Sequence, residues 1–190
     1  MTQEIALNLF DLIEGSVLEL GPHDGSWFTA HLVQRSSNLA VIELDGVALA
    51  ELKRNYPQVR PYLADYHTAI QGLGSYDNVV LFGVLSHTPN PLGLLEDIVH
   101  YIKPRQIFIE AEPGGSVRCV REGINQPGQR QSRRPTCGLS IQLGSKVYAD
   151  AMANLGYVPV KSYVAPQGHK QGLEYTAYAL HNSTQRYSAL

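Results

Sequence analysis

Apolar positions in this chain follow two alternating periods. Ile5, Leu9 and Leu12 recur at helical spacing and predict a leading helix over 4–13. Short apolar runs bounded by polar or turn residues predict strands over 16–20, 39–43, 59–64, 76–82 and 106–111. The run at 76–82 is apolar enough to be covered on both faces. Helical spacing fills the gaps at 26–35, 47–55 and 92–102. The last of these puts Leu92, Leu95, Ile98, Val99 and Ile102 on one face, and Pro104 stops it. Ser36, Ser37 and Asn38 break one helix from the next strand, and Pro57 and Pro61 bracket a turn. Strands alternating with helices argue for an α/β fold, a parallel sheet with helices on both faces.

The last third reads differently. Residues 114–144 are rich in Gly, Pro, Arg and Gln, lack a clear period, and carry Arg118, Arg121, Arg130, Arg133 and Arg134. They read as a loop, an insertion or a lid over a substrate. Ser145 is then expected to cap a helix running to 155, which Gly156 ends. Two closing strands follow at 158–164 and 173–180, joined by 165–172. The reading is one domain over 1–181 with a polar, frayed tail at 182–190.

Bulk properties exclude several function classes. A formal net charge of −2 over 190 residues gives no drive toward nucleic acid or a membrane surface. No apolar run approaches the roughly 18 residues that span a bilayer. The start, Met-Thr-Gln-Glu-Ile, lacks the basic and apolar regions of a signal peptide. Cys119 and Cys137 are too far apart for a Cys-x-x-Cys pair. The expectation is a cytoplasmic protein with two reduced thiols, a disulfide between them across a surface loop being the alternative.

The chemistry concentrates at strand ends. In Val17–Ser26 a buried strand carries Glu19 and runs into a turn bracketed by Gly21 and Gly25. A strand, a glycine-bearing turn and a helix start make a nucleotide-binding corner, where backbone N–H groups approach a ligand closely. Glu43 ends the second strand, 22 residues beyond Gly21. That is near the separation of about 20 at which an acidic group reaches ribose hydroxyls in dinucleotide-type folds. Asp45 competes with it, but sits where the next helix needs its N-cap.

These residues resemble the class I S-adenosylmethionine (SAM) dependent methyltransferases. Glu19-x-Gly21-x-His23-x-Gly25 is similar to that family's first motif, acidic-x-Gly-x-Gly-x-Gly, with His23 at the middle glycine. Glu43-Leu44-Asp45-Gly46-Val47-Ala48-Leu49 is similar to acidic-x-Ser-x-x-Ala-Leu. Residues 83–92, Gly-Val-Leu-Ser-His-Thr-Pro-Asn-Pro-Leu, resemble the Gly-Val-Leu-Tyr-His-x-x-x-Pro-Leu segment of one subgroup, with Ser86 in place of Tyr. That subgroup includes enzymes that modify the wobble uridine of tRNA.

The resemblance implies a Rossmann-like seven-stranded sheet, mostly parallel with an antiparallel last strand and helices on both faces. It implies SAM as cofactor and no metal. Glu19, Gly21 and Gly25 would serve the methionine end. His23 either contacts the ligand or fills the turn, and Asp24 is read as a cap for the following helix. Glu43 would hold the ribose, with Leu44 beside it. Asp65 would accept from the adenine amino group, and Tyr66 would lie against the ring. Gly83 and His87 line the pocket near the reactive methyl. His87 is the candidate base or substrate-orienting group, because imidazole takes a proton near neutral pH. Arg118, Arg133 and Arg134 are candidates to clamp an anionic acceptor.

Two other classes compete. A nicotinamide-dependent, NAD(P)-type oxidoreductase would want Gly-x-Gly-x-x-Gly, but positions 21, 23 and 26 are Gly, His and Ser. The chain also lacks length for a separate substrate domain. A non-catalytic SAM-binding protein of the same fold is the other alternative, kept by His23. The expected partner is a small-molecule substrate, with nucleic acid disfavoured, no membrane, and self-association left open.

Overall fold

The computed structural model describes residues 2–120, 140–165 and 172–181. Its strands are β1 (Val17–Leu20), β2 (Leu39–Glu43), β3 (Arg60–Leu63), β4 (Asn78–Leu81), β5 (Gln106–Ala111), β6 (Val117–Val120), β7 (Ser140–Leu143), β8 (Tyr157–Val164) and β9 (Glu174–Leu180). Its α-helices are α1 (Thr2–Leu9), α2 (Thr29–Arg35), α3 (Gly46–Asn55), α4 (Tyr66–Ala69), α5 (Pro91–Asp97) and α6 (Ser145–Asn154).

Seven strands form one sheet in the order β3-β2-β1-β4-β5-β9-β8. β1 to β5 pair in parallel, and β9 runs antiparallel to both β5 and β8. This is the expected Rossmann-like sheet with its antiparallel last strand. The strand order reverses between β1 and β4. At such a switch point the connections leave in opposite directions and open a crevice beyond the carboxyl ends of the strands.

Alternation along the strands sends side chains to two cores. Leu18, Leu20, Val79, Leu81, Ile107 and Ile109 meet Leu94 and Leu95 of α5 and Tyr148 and Met152 of α6. On the opposite face Val17, Val41, Val80 and Phe108 meet Ile5 and Leu9 of α1, Leu32 of α2, and Leu49 and Leu52 of α3. Each full burial of a large apolar side chain contributes about 1.5–3 kcal/mol. Phe82, just past β4, packs edge-on against Phe28 at 4.8 Å and Tyr175 at 5.1 Å. That aromatic floor underlies the crevice.

Several elements differ from the sequence reading. The leading helix ends at Leu9 and tightens into a 3₁₀ turn, Phe10–Leu12. α2 starts at Thr29 because the chain is still turning through 26–28. The helix expected over 92–102 is α-helical only to Asp97 and continues as a π turn, Ile98–Ile102. The wider turn keeps both Ile98 and Ile102 in the core, and Lys103 closes it at φ 55°. Helix α4 and the 3₁₀ turn Ile70–Gly72 leave no sequence signal, since one turn is too short to display a period.

The segment read as one loop over 114–144 begins and ends in strands. β6 and β7 pair antiparallel as a separate ribbon, Arg118 opposite Gln142 and Cys119 opposite Ile141. Each has only four residues, and their pairing spans a long connection, so neither leaves a local signal. The N-cap of α6 is Gly144, not Ser145; Ser145 Oγ instead accepts from the Gly114 N–H at 3.3 Å. Cys119 is a free, exposed thiol. Arg121, Arg130, Arg133, Arg134, Cys137 and the 182–190 tail lie outside the described residues. Among those described, no helix is long and apolar enough to cross a membrane.

Candidate cofactor and acceptor site

The turn after β1 is built by backbone conformation. Gly21, His23 and Gly25 all lie in the left-handed region, at φ 63°, 56° and 77°. Gly25 has no room for a side chain: a Cβ there would sit 3.0 Å from Tyr56 Cε2 and 3.1 Å from Leu52 Cγ of α3. His23 supplies without glycine the conformation that glycine usually supplies. Its side chain is half exposed, and its Nδ1 lies 3.6 Å from Asp24 Oδ1. Asp24 Oδ1 accepts from the Ser26 N–H at 3.0 Å, so it stabilises the turn before α2 and does not cap the helix itself. The N-cap residue of α2 is Phe28, with no side-chain cap.

Glu19 is buried on the α1–α3 face of β1, only 4% exposed. Thr29, fully buried in the first turn of α2, donates its hydroxyl to Glu19 Oε2 at 2.7 Å. Burial pushes the Glu19 carboxyl up to about 7; the Thr29 hydrogen bond opposes the rise, and the charge of Glu43 adds to it.

Glu43 and Asp45 divide their work as the spacing predicts for the cap. Asp45 accepts from Val47 N–H at 2.8 Å and Ala48 N–H at 3.2 Å, and caps α3. Glu43 turns back toward the glycine turn. Its Oε2 accepts from His23 N–H at 2.8 Å, and its Oε1 from Leu44 N–H at 2.8 Å and Asp45 N–H at 2.9 Å. A carboxylate has roughly four acceptor directions, so three backbone donors fix this one and still leave it able to take a hydroxyl. Leu44 is exposed beside it, and Leu63, at the end of β3, is exposed nearby over Gly46.

Asp65 stands at the end of β3 and caps α4 through His67 N–H at 2.9 Å. Tyr66 is half-buried with its ring 4.9 Å from that of His67. His67 Nε2 in turn lies 3.0 Å from Thr88 Oγ1, which ties α4 to the segment after β4. In that segment Gly83 sits at φ 71°, and a Cβ on it would enter open space. Leu85–His87 form a single 3₁₀ turn that exposes His87.

Two cavities meet here. One, of about 450 Å³, is lined by Glu19, Gly21, His23, Gly83 and the aromatic rings of Trp27, Phe28 and Phe82. Such a volume lies within the ordinary range for small-ligand pockets, roughly 300–1,000 Å³. The other, of about 200 Å³, is lined by Ser86, Glu112, Gln142, Leu143, Tyr148 and Leu173 among others. His87 and Glu110 border both. Of the residues singled out in the sequence, Glu19, Gly21, His23, Gly83 and His87 thus line the larger cavity. Gly25, Glu43, Leu44, Asp65 and Tyr66 are not among its lining residues; Glu43 is tied to the cavity wall through the His23 N–H. Arg118, on β6, pairs with Glu112 at 3.4 Å outside the smaller cavity. Sequence reasoning missed Trp27, Glu110, Glu112, Gln142 and Tyr148. The lone tryptophan directly after a glycine turn was a usable signal; the others depend on strand pairing that no local pattern encodes.

The sheet order, the glycine turn at the switch point and the carboxylate beside it define a methyltransferase-type α/β nucleotide-binding protein. A family model described as a methyltransferase domain matches residues 2–158, and the chain belongs to that family. No curated protein matches the sequence at a significant level. Among solved structures, a 1,6-didemethyltoxoflavin-N1-methyltransferase from Burkholderia thailandensis, with S-adenosylhomocysteine (SAH) bound, is similar at TM-score 0.68 and 15% identity, covering 94% of this chain and 77% of that one. The N-methyltransferase NodS from Bradyrhizobium japonicum WM9, in complex with SAH, gives TM-score 0.66 and 15% identity, covering 94% of this chain and 84% of that one. Magnesium protoporphyrin IX methyltransferase from Synechocystis PCC 6803, with SAM bound, gives TM-score 0.66 and 14% identity, covering 93% of this chain and 76% of that one. At such identities the likeness is one of fold, and the acceptors named are different from one another.

Proposed function

We propose that this chain transfers the methyl group of SAM to a small-molecule acceptor seated in the smaller cavity. The observation that carries the proposal is the junction. The larger cavity lies at the switch point between β1 and β4, and it meets the second one at His87 and Glu110. A donor and an acceptor held on either side would face each other across those two residues.

The residues present fit SAM. The left-handed turn at Gly21–Gly25 and the open face over Gly83 let a ligand approach backbone closely. Glu43 retains an acceptor direction for a ribose hydroxyl. Leu44 and Leu63 offer exposed apolar surface for a flat base, with Asp65 and Tyr66 at the next strand end. Glu19 provides a buried carboxylate for the ammonium of the methionine end. When bound, SAM supplies an electrophilic methyl on a sulfonium. The protein's contribution is positioning and exclusion of water. His87 orients the acceptor and receives its proton. Arg118, opposite Gln142 on the β6–β7 ribbon, would meet an anionic portion of the acceptor at the outer rim.

Calorimetric titration with SAM, SAH and NADH tests the reading. Heat with SAM and SAH but not NADH is expected, followed by SAH release when the acceptor is supplied. Binding of NADH with no response to either sulfur compound would favour the oxidoreductase class and overturn it.

A further inference from the structure

Within that methyl-transfer reading, the lining of the cavities narrows the acceptor's chemistry. Phe108 and Glu110 lie two apart on β5, so their side chains share the face of the sheet that carries Glu19 and Phe82. Phe108 is buried in the core; Glu110 is one position from the carboxyl end and reaches the crevice. It pairs across the strands with Tyr175 of β9. Burial, and then the Glu110 charge, keep the Tyr175 phenol protonated, so this neighbour adds no second charge. The Glu110 carboxylate therefore stands on a rigid element at the junction of the two cavities, which His87, from the segment after β4, also borders.

Among the described residues, the acidic or basic side chains other than histidine that border that junction are all carboxyl groups. Glu19 and Glu110 border the larger cavity, and Glu110 and Glu112 the smaller one. Among the described residues no lysine or arginine lines either. Arg118 offsets Glu112 from outside. A carboxylate, phenolate or thiolate nucleophile would meet like charge there, which costs binding energy in a partly desolvated site. A protonated amine would instead gain a charge-assisted hydrogen bond.

We infer that the methyl acceptor is an amine and that Glu110 is the residue that seats it. The ammonium hydrogen-bonds to the Glu110 carboxylate and loses one proton to His87. The freed nitrogen lone pair forms the new N–C bond as the C–S bond breaks, and the electron pair of that bond goes to sulfur. The positive charge moves to the nitrogen, the product leaves as a methylammonium, and His87 returns its proton to solvent. Any anionic group of the same molecule points outward toward Arg118.

The test uses the full chain saturated with SAH and a library in which each carbon skeleton is present as amine, alcohol and carboxylate, for example benzylamine, benzyl alcohol and benzoate. Saturation-transfer NMR reads binding, and SAH release in the presence of SAM reads turnover. Amines should bind and turn over in preference to their matched partners. Glu110→Gln should weaken amine binding about tenfold or more, with a cooperative urea melt at the wild-type midpoint as the control for folding. Glu110→Asp should recover part of the loss. Preference for alcohols or carboxylates, no binding by any amine, or unchanged amine binding in Glu110→Gln would each overturn the inference while SAH still binds. Failure of SAH itself to bind would overturn the methyl-transfer reading beneath it.

Discussion

His23 donates its backbone N–H to Glu43 Oε2 at 2.8 Å, and it does so from a left-handed conformation at φ 56°. The bond ties the turn after β1 to the end of β2. It also explains how histidine can stand where the resemblance expects glycine: the backbone, not the side chain, makes the structural contact. Holding a non-glycine residue in that region costs roughly 1–2 kcal/mol, and the bonds to Glu43 and within the turn hold it there.

The first prediction follows directly. His23→Gly should keep the fold and leave SAH affinity within about threefold, because glycine accepts this φ freely and retains the N–H. Calorimetry on both proteins checks it. A loss of about tenfold or more would mean that the imidazole itself contacts the ligand.

Glu43 and Asp45 should separate cleanly. Glu43→Ala removes an acceptor used by three backbone donors and the expected partner of the ribose, so SAH affinity should fall by an amount worth about 1.5–3 kcal/mol. Asp45→Ala removes a helix cap and should cost about 1 kcal/mol of stability with little change in affinity. Paired urea melts and SAH titrations give both numbers for each variant. Abolished binding in Asp45→Ala with none lost in Glu43→Ala would reverse the assignment.

How far these roles could be read from the sequence depended on the range of the contacts involved. The five parallel strands, the glycine turn and the Asp45 cap are local: an apolar run, a Gly spacing and an Asp before a helix announce each within a few residues. Glu110 and Glu112 are not. Their positions in the crevice come from β5 pairing with β4 and β9, and the cavity wall they share is completed by Gln142 and Tyr148 from far along the chain. The arginines of 114–144 drew attention by composition, yet Arg118 proves to face Glu112 across the ribbon's edge. Composition counted the positive charges and could not place the carboxylate beside Arg118.

At the opposite end of the sheet, Asp77 fixes the approach to β1. Its Oδ2 accepts from the Ser16 N–H at 2.8 Å and the Ser16 hydroxyl at 2.7 Å, and these bonds hold its carboxyl below the usual range. Gly15 lies beside it at φ 84°, and a Cβ there would collide with the Asp77 carboxylate. Gly15→Ala should therefore lower stability by at least the roughly 1–2 kcal/mol of the left-handed penalty, without a selective effect on SAH binding. A urea midpoint equal to that of the wild type would contradict this.

The last prediction concerns Glu19 and pH. Its carboxyl titrates near 7 in the folded protein and near 4.3 in an unfolded chain. The folded state therefore binds the proton more tightly, and stability must fall as pH rises through the window between those values. Below about 4.3 both states are protonated, and above about 7 both are ionised, with the burial cost fully present. The total is on the order of 4 kcal/mol, since each tenfold difference in proton affinity between the two states is worth about 1.4 kcal/mol. Asp77 and Asp24, held below the usual range, act with the opposite sign but at lower pH, so they do not mask it. Glu19→Gln keeps an oxygen for the Thr29 hydroxyl and removes the charge. Urea melts at about pH 4, 5, 6, 7 and 8, chosen to bracket that window, should show the wild type losing stability relative to the variant as pH rises. The same ionisation should help a cationic methionine end to bind, so SAH affinity in the wild type should strengthen from pH 6 to 8 with proton release, on the same linkage argument. In Glu19→Gln that dependence should be largely lost. Parallel stability curves for the two proteins would show that Glu19 does not titrate in this window, and that its burial is compensated by contacts other than Thr29.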